Sequence, residues 1–96
     1  MRIIALEHEC GSLEPAVQER VLREEARALW ELQQAGYVRE AYFRADRKEA
    51  VLVLEAQGPE QARDVLAGLP LVQQGIIRFE FVPLVPYDGY ARLFKA

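Results

Sequence analysis

Two short segments of this chain are apolar at every position, and they restrict how it can fold. Ile3-Ile4-Ala5-Leu6 and Val51-Leu52-Val53-Leu54 are shorter than a typical helix and consist of aliphatic residues. A strand that is apolar on both faces belongs inside a sheet, where both of its faces are covered. We therefore predict two central strands, strand 1 at Arg2–His8 and strand 3 at Ala50–Ala56.

Two other segments mix charged and apolar residues, which is typical of strands at the edges of a sheet. Tyr37–Arg44 predicts strand 2, and the alternation that follows Gly75 predicts strand 4. Pro83 and Pro86 cannot donate to a β-ladder, so strand 4 should end near Val82. The two faces of strand 4 carry Ile77, Phe79 and Phe81 on one side, and Ile76, Arg78, Glu80 and Val82 on the other.

Two helices are predicted between these strands. Helix 1 spans Pro15–Ala35 and ends at the glycine Gly36, and helix 2 follows Gly58 with a proline at its first position. The apolar arc of helix 1 is formed by Val17, Val21, Leu22, Ala28, Leu29 and Leu32. Glu25 projects into this arc. Its side chain either curves out to solvent, which we favour, or points inward as a functional carboxylate.

The resulting order βαββαβ predicts an α+β, ferredoxin-like fold with a four-stranded antiparallel sheet and two helices on one face. We expect one domain over residues 1–96, with residues 84–96 as a C-terminal tail. The uncovered sheet face would expose Ile4, Leu6, Ile76, Val82 and half of strand 3 to water. A patch of this size favours a homodimer or a ring of dimers in which two sheets face each other.

Composition excludes several classes of function. The net charge of −3 argues against non-specific nucleic-acid binding, and no apolar run approaches the ~20 residues of a membrane span. No signal peptide is recognisable at Met1-Arg2, and the single Cys10 excludes an internal disulfide, so we expect a cytoplasmic protein. A lone serine, Ser12, argues against a serine-nucleophile triad, and His8-Glu9-Cys10 supplies too few ligands for a structural zinc site.

The Leu69-Pro70-Leu71 segment, followed by an alternating strand, resembles the muconolactone isomerase family of dimeric α+β barrels. The similarity extends through the long helix, Gly36, the aromatic strand 2 and strand 3. It implies the ferredoxin-like fold, a dimer with facing sheets, and proton transfer in an unsaturated lactone acid without a metal or organic cofactor. Such chemistry requires a base, donors for an enolate oxygen and a cation for the substrate carboxylate.

Six residues are candidates for binding or catalysis under this interpretation. His8 and Glu80 would move the proton, and Arg78 would hold the acid, with Arg39, Glu40 and Tyr42 of strand 2 as further ligand contacts. For His8, a purely structural histidine at the rim of the sheet is an equally favoured alternative. For Arg78 and Glu80, the alternative is an ion pair across a dimer interface, which we favour over a role in binding or catalysis. The sequence leaves open which residues of strand 2 face inward.

Four aromatic residues are predicted to contact another subunit. Trp30 projects from the charged face of helix 1, and exposed tryptophan is enriched at interfaces. The other three are Tyr87, Tyr90 and Phe94 in the tail, which would pack on a neighbouring subunit or cover the pocket.

Three functions remain open on the sequence. The first is a cofactor-free isomerase-like enzyme acting on a small lactone or organic acid. The second is a non-catalytic ligand-binding or assembly module, which is favoured by the apolar Ile4 and Leu6 where the resemblance implies ionisable side chains. The third is a cofactor-free monooxygenase, which is the weakest because no Asn, Trp and His constellation lines the sheet.

Overall fold

The computed structural model describes residues 1–95, so the last residue of the predicted tail, Ala96, lies outside the described residues. Four strands, three helices and one 3₁₀ helix follow each other along the chain. They are β1 (Arg2–Glu9), α1 (Pro15–Gln34), β2 (Val38–Phe43), β3 (Ala50–Glu55), α2 (Pro59–Leu66), α3 (Pro70–Gln73), β4 (Ile77–Pro83) and the 3₁₀ helix (Gly89–Phe94).

The strands form one antiparallel sheet in the order β2-β3-β1-β4, which confirms the predicted α+β architecture. The fully apolar strands β1 and β3 are central, and the mixed strands β2 and β4 are at the edges. In the register, Leu6 pairs with Val51 of β3 and with Glu80 of β4. A bulge interrupts the pairing of β2 between Val38 and Glu40.

Helix α1 ends where the sequence places its stop. Gly36 has a φ of 90°, and the amides of Gly36 and Tyr37 donate to the carbonyls of Gln33 and Leu32 at 3.1 Å each. These are the two hydrogen bonds of a Schellman motif, in which the left-handed residue is usually glycine. The chain therefore leaves α1 in the direction of β2.

The core lies between the sheet and the helices. Its largest fully buried side chains are Ile3, Leu52, Leu54, Leu66, Leu69, Val21 and Val38. Burying one such aliphatic side chain contributes about 1.5–3 kcal/mol. Because Ile3 and Ala5 face the helices, the alternation of β1 turns Ile4, Leu6 and His8 to the other face of the sheet. We call this the open face, since none of the three helices packs on it.

Strand 4 ends close to its predicted end near Val82, and one detail of its start differs from prediction. β4 continues to Pro83, opposite Ile3, because an edge strand has one side on which a missing N–H costs nothing. The placement of Ile76 on the open face is wrong. Its amide donates to the carbonyl of Leu71 at 2.9 Å in the turn after α3, and its side chain packs beside Val21 and Ile77.

Candidate active site at one end of the open sheet face

His8 and Glu80 lie together on the open face. The register pairs His8 with Arg78 and Leu6 with Glu80, so the histidine and the carboxylate are diagonal neighbours on adjacent strands. The Nε2 atom of His8 is 3.0 Å from Oε1 of Glu80, which is hydrogen-bonding distance. The side chains are 33% and 55% exposed, so both remain accessible from the sheet face.

Glu49 supplies a second carboxylate at this end of the sheet. Its Oε2 accepts a hydrogen bond from the amide of Glu9 at 2.9 Å, and its Oε1 accepts one from Nε of Arg47 at 2.6 Å. These two bonds lower the pKa of Glu49, and the nearby His8 contributes in the same direction. Glu49 is thus a fixed anion beside the histidine. Together with His8, Arg78 and Glu80 it forms what we call the sheet-face cluster.

Glu49 was not predicted from the sequence. It belongs to the connection between β2 and β3, where charged residues are common, so its type alone carried no signal. Only the pairing of β1 with β3 brings it close to His8.

The structure resolves which residues of β2 share the open face. Glu40 pairs with Val53 and Tyr42 with Val51, so both side chains lie on the face that carries His8. The hydroxyl of Tyr42 donates a hydrogen bond to Glu40, and this bond raises the pKa of Tyr42. Val51 and Leu6 separate Tyr42 from Glu80 across the sheet. Tyr42 and Glu40 therefore face the same space as the sheet-face cluster without touching it.

Arg39 lies elsewhere. Its Nε donates to the carbonyl of Gly36 at 2.8 Å, at the bulge of β2 and the end of α1. The register places this bulge beside Leu54 and Ile3, at the opposite end of the sheet from His8. The structure thus does not bring Arg39 together with His8 and Glu80.

A separate pair of carboxylates lies on the covered face. Glu7 and Glu25 are half-buried between β1 and α1, and burial raises the pKa of each. Glu7 accepts a hydrogen bond from the amide of Ala50 at 3.3 Å, and Glu25 accepts one from the amide of Leu71 at 2.9 Å. The interpretation that Glu25 curves out to solvent is therefore wrong. Glu7 was not predicted, although its parity with Ile3 and Ala5 already placed it on the covered face.

The aromatic residues predicted at interfaces are all exposed in a single chain. The exposed fractions are 61% for Trp30, 71% for Tyr87, 67% for Tyr90 and 86% for Phe94. Their contact with another subunit stays a prediction.

Two shallow hollows on the described part of the chain lie away from His8. One shallow hollow lies at the start of α2, around Gln57–Asp64, and another along α1, around Pro15–Leu22. Among residues 1–95, no group of three or more His, Cys, Asp or Glu side chains is arranged to hold a metal ion. None of the helices in this range is both long and apolar enough to cross a membrane.

Sheet order, helix placement and connectivity define a ferredoxin-like α+β fold. A crystal structure of muconolactone isomerase matches with a TM-score of 0.77 and 20% sequence identity, covering 92% of this chain and 92% of that chain. The predicted resemblance to this family is thereby confirmed at the level of the fold.

A second solved structure with this fold comes from Burkholderia phenoliruptrix AC1100. It is 5-chloro-2-hydroxyhydroquinone dehydrochlorinase (TftG) in complex with 2,5-dihydroxybenzoquinone, with a TM-score of 0.61 and 11% identity over 93% of this chain and 98% of that chain. No protein-family model and no curated protein sequence matches this chain.

Proposed function

We propose that this protein is a cofactor-free enzyme that transfers a proton within a small lactone or organic acid bound at the open sheet face. The observation that carries this proposal is the contact of 3.0 Å between His8 and Glu80, with Arg78 paired opposite His8. A histidine, a carboxylate and a cation in one place match the needs of proton abstraction beside a carbonyl group.

The proposed chemistry assigns one role to each residue. With the proton of the neutral ring on Nε2, His8 donates to Glu80, and Nδ1 is free to accept a proton from the acidic carbon of the substrate. Glu80 then stabilises the imidazolium that forms. The electron pair of the broken C–H bond moves into an enolate, and His8 returns the proton to a different carbon, so the double bond migrates. The guanidinium of Arg78 holds the substrate carboxylate.

A second copy of the chain would complete the site. The centre of the open face is aliphatic, with Ile4, Leu6, Val51 and Val53 side by side across β1 and β3. A facing sheet would cover this patch, enclose the space above His8 and exclude water, which strengthens electrostatic interactions there. We therefore propose a homodimer or a ring of dimers. Light scattering at micromolar protein concentration tests this assembly, and a monomer would exclude it.

The proposed substrate class follows the two structural neighbours. One is named for muconolactone, which is a lactone, and the other is bound to 2,5-dihydroxybenzoquinone. Both compounds are small oxygenated rings. Identities of 20% and 11% carry the fold alone, so the substrate itself has to be found by experiment.

A thermal-shift panel of lactones, aromatic acids and dicarboxylic acids, with muconolactone included, tests binding first. A ligand present at 100 times its dissociation constant raises the free energy of unfolding by about 2.7 kcal/mol. Each ligand that shifts the melting temperature is then incubated in D₂O, and NMR measures deuterium incorporation at carbon. We expect exchange in the wild type and a loss of two or more orders of magnitude in His8→Ala, since general base catalysis contributes about 10²–10⁴-fold.

One further variant separates substrate binding from proton transfer, and a second variant serves as its control. Arg78→Ala should weaken binding of carboxylate ligands and spare lactones that have no carboxylate. Glu19→Gln changes an exposed acidic residue on α1 and serves as the matched control. Exchange at the wild-type rate in His8→Ala would remove His8 from the mechanism.

The second candidate function is a non-catalytic ligand-binding or assembly module. Ile4 and Leu6, at the centre of the open face, support it because they provide apolar contact area and no ionisable group. Binding without deuterium exchange, or a panel in which no ligand shifts the melting temperature, would favour this function over the first.

A further inference from the structure

The strand segment that carries His8 has regular backbone pairing on one side only. Towards β4, the pairing of β1 continues past His8 as far as Glu9. Towards β3, the pairing ends earlier, at Leu6 opposite Val51. Backbone amides need a hydrogen-bond acceptor, so on the side of β3 this end of β1 has to find partners outside the ladder.

Two carboxylates supply these contacts in a reciprocal arrangement. Oε1 of Glu7 accepts a hydrogen bond from the amide of Ala50 at 3.3 Å, so a side chain of β1 binds the backbone of β3. Oε2 of Glu49 accepts one from the amide of Glu9 at 2.9 Å, so a side chain from the start of β3 binds the backbone of β1. We call Glu7 and Glu49 the carboxylate clasp. It joins the two strands at both neighbours of His8.

Glu49 is the more firmly held member of the carboxylate clasp. Its Oε1 accepts a hydrogen bond from Nε of Arg47 at 2.6 Å, and its side chain is only 13% exposed. Its backbone is fixed as well, because its amide donates to the carbonyl of Arg47 at 2.8 Å and its carbonyl accepts from the amide of Arg44 at 2.9 Å. Glu49 thus ties the connection between β2 and β3 to the end of β1.

We propose that Glu49 is a positioning residue for the proton transfer assigned to His8. It acts through the amide of Glu9, which it holds in place, and thereby keeps the preceding residue where its Nε2 reaches Glu80. The inference rests on the proposed function and adds to it a residue that acts through the backbone.

Position, not charge, is the effect that the contacts of Glu49 favour. Its carboxylate is balanced by the guanidinium of Arg47, and the imidazole of His8 has Glu80 as its hydrogen-bond partner at 3.0 Å. A catalytic base has to be held close to its productive geometry, and a displacement of about 1 Å can slow a reaction about a hundredfold. Loss of this acceptor would release the amide of Glu9 and free the end of β1 on the side of β3.

Two substitutions at one position separate reach from charge. Glu49→Gln removes the charge and keeps an oxygen at the distance of the Glu9 amide. Glu49→Asp keeps the charge and is one methylene group shorter, so it withdraws the acceptor. Gln61→Ala is the matched control, since Oε1 of Gln61 accepts from the amide of Gln57 at 2.7 Å beyond the far end of β3. It removes a contact of the same kind away from His8.

The ring of His8 gives a readout that needs no ligand. It is the single histidine of the chain, so NMR shows one set of imidazole signals, and the ¹⁵N shifts report which ring nitrogen carries the proton. Exchange of the Glu9 amide with D₂O reports whether its hydrogen bond is present. Deuterium incorporation into a ligand from the thermal-shift panel then measures the rate of proton transfer.

We expect Glu49→Asp to expose the Glu9 amide, to change the proportion of the two ring tautomers of His8 and to slow deuterium incorporation about tenfold to a hundredfold. Ligand binding should be unchanged, because Arg78 holds the substrate. Glu49→Gln and Gln61→Ala should keep the wild-type ring signals and most of the rate.

Two results would overturn the positioning role. The first is a Glu49→Asp variant with the ring signals and rate of the wild type, whatever the protection of the Glu9 amide. The second is a loss in Glu49→Gln that Glu49→Asp does not show, which would assign the effect to charge. A wild type that exchanges no ligand would overturn the proposed function instead, and the ring signals of His8 in the two variants would still decide whether Glu49 positions it.

Discussion

The carboxylate of Glu25 accepts a hydrogen bond from the backbone amide of Leu71 at 2.9 Å, which joins the middle of α1 to the Leu69-Pro70-Leu71 segment. Leu71 lies in the first turn of α3, where a helix leaves its amides without an internal partner. Glu25 satisfies one of these amides from a different helix. It therefore fixes α3 and the turn that leads into β4.

The first prediction concerns this contact. Glu25→Ala should lower the free energy of unfolding by about 1–3 kcal/mol, since it leaves a half-buried amide without an acceptor. Glu25→Gln keeps an oxygen at the same place and should cost less. Urea denaturation measures both. The neighbouring Glu24 forms an ion pair with Arg20 on the exposed side of α1, so Glu24→Ala is a matched control with an effect of about 0.5 kcal/mol or less. Equal losses for Glu25→Ala and Glu25→Gln would assign the effect to charge instead.

The second prediction is the pH dependence of stability. Burial raises the pKa of Glu7 and Glu25 above 4.5 in the folded state, so the folded protein binds these protons more tightly than the unfolded chain. Stability from this pair is then fully present below pH 4.5 and is lost as the pH rises through the raised values. The free energy of unfolding should therefore increase from about pH 7 to about pH 5.

Other carboxylates limit this increase at lower pH. Hydrogen bonds lower the pKa of Glu49 and the pKa of Glu55 from 4.5 in the folded state. The stability that these two carboxylates contribute is therefore fully present above pH 4.5, and it is lost as the pH falls through their lowered pKa values. Urea titrations across this range should show a maximum on the acid side of neutrality. The double variant Glu7→Gln/Glu25→Gln should flatten the rise. A slope unchanged in that variant would mean that other groups cause it.

The strand order could be predicted because its signal is local. β1 and β3 are apolar at successive positions, and a strand buried on both faces needs this pattern wherever its neighbours lie. Gly36 likewise marks the end of α1 by its own backbone freedom. These features depend on few distant contacts, so sequence alone was sufficient.

The errors concern side chains whose position depends on distant partners. The partner of Glu25 is an amide 46 positions away, and no helical pattern contains that information. Ile76 fits the alternation of β4 but belongs to the turn that Gly75 begins, so the period was extended one residue too far. The placement of His8, Arg78 and Glu80 on one face could be predicted from the alternation of their strands, whereas the distance between His8 and Glu80 depends on the register of β1 with β4, two strands far apart in the sequence.

The third prediction concerns the turn at Gly75, which precedes β4. Gly75 has a φ of 72°, which side-chain-bearing residues adopt at a cost of about 1–2 kcal/mol. A Cβ added at Gly75 would meet no atom within 4 Å, so Gly75→Ala should lose this amount through backbone strain alone. Gly68→Ala is the matched control, because it also has open space but no left-handed backbone. Denaturant unfolding of both variants measures the difference. Equal stability of the two would show that the turn tolerates alanine.

The fourth prediction concerns Tyr87 and Tyr90, which the sequence predicts to contact another subunit. Their rings meet edge to face with centroids 4.8 Å apart, and a Cβ added at Gly89 would overlap the ring of Tyr87. Gly89→Ala should therefore displace this ring and remove its contact with Tyr90, while all exposed aromatic side chains remain. The predicted subunit contact should then weaken, and a loss of about 1.4 kcal/mol is a tenfold increase in the dissociation constant of the dimer. Analytical ultracentrifugation measures this constant, again with Gly68→Ala as the control. Dissociation equal to that of the control would show that this arrangement of the two rings does not stabilise the dimer.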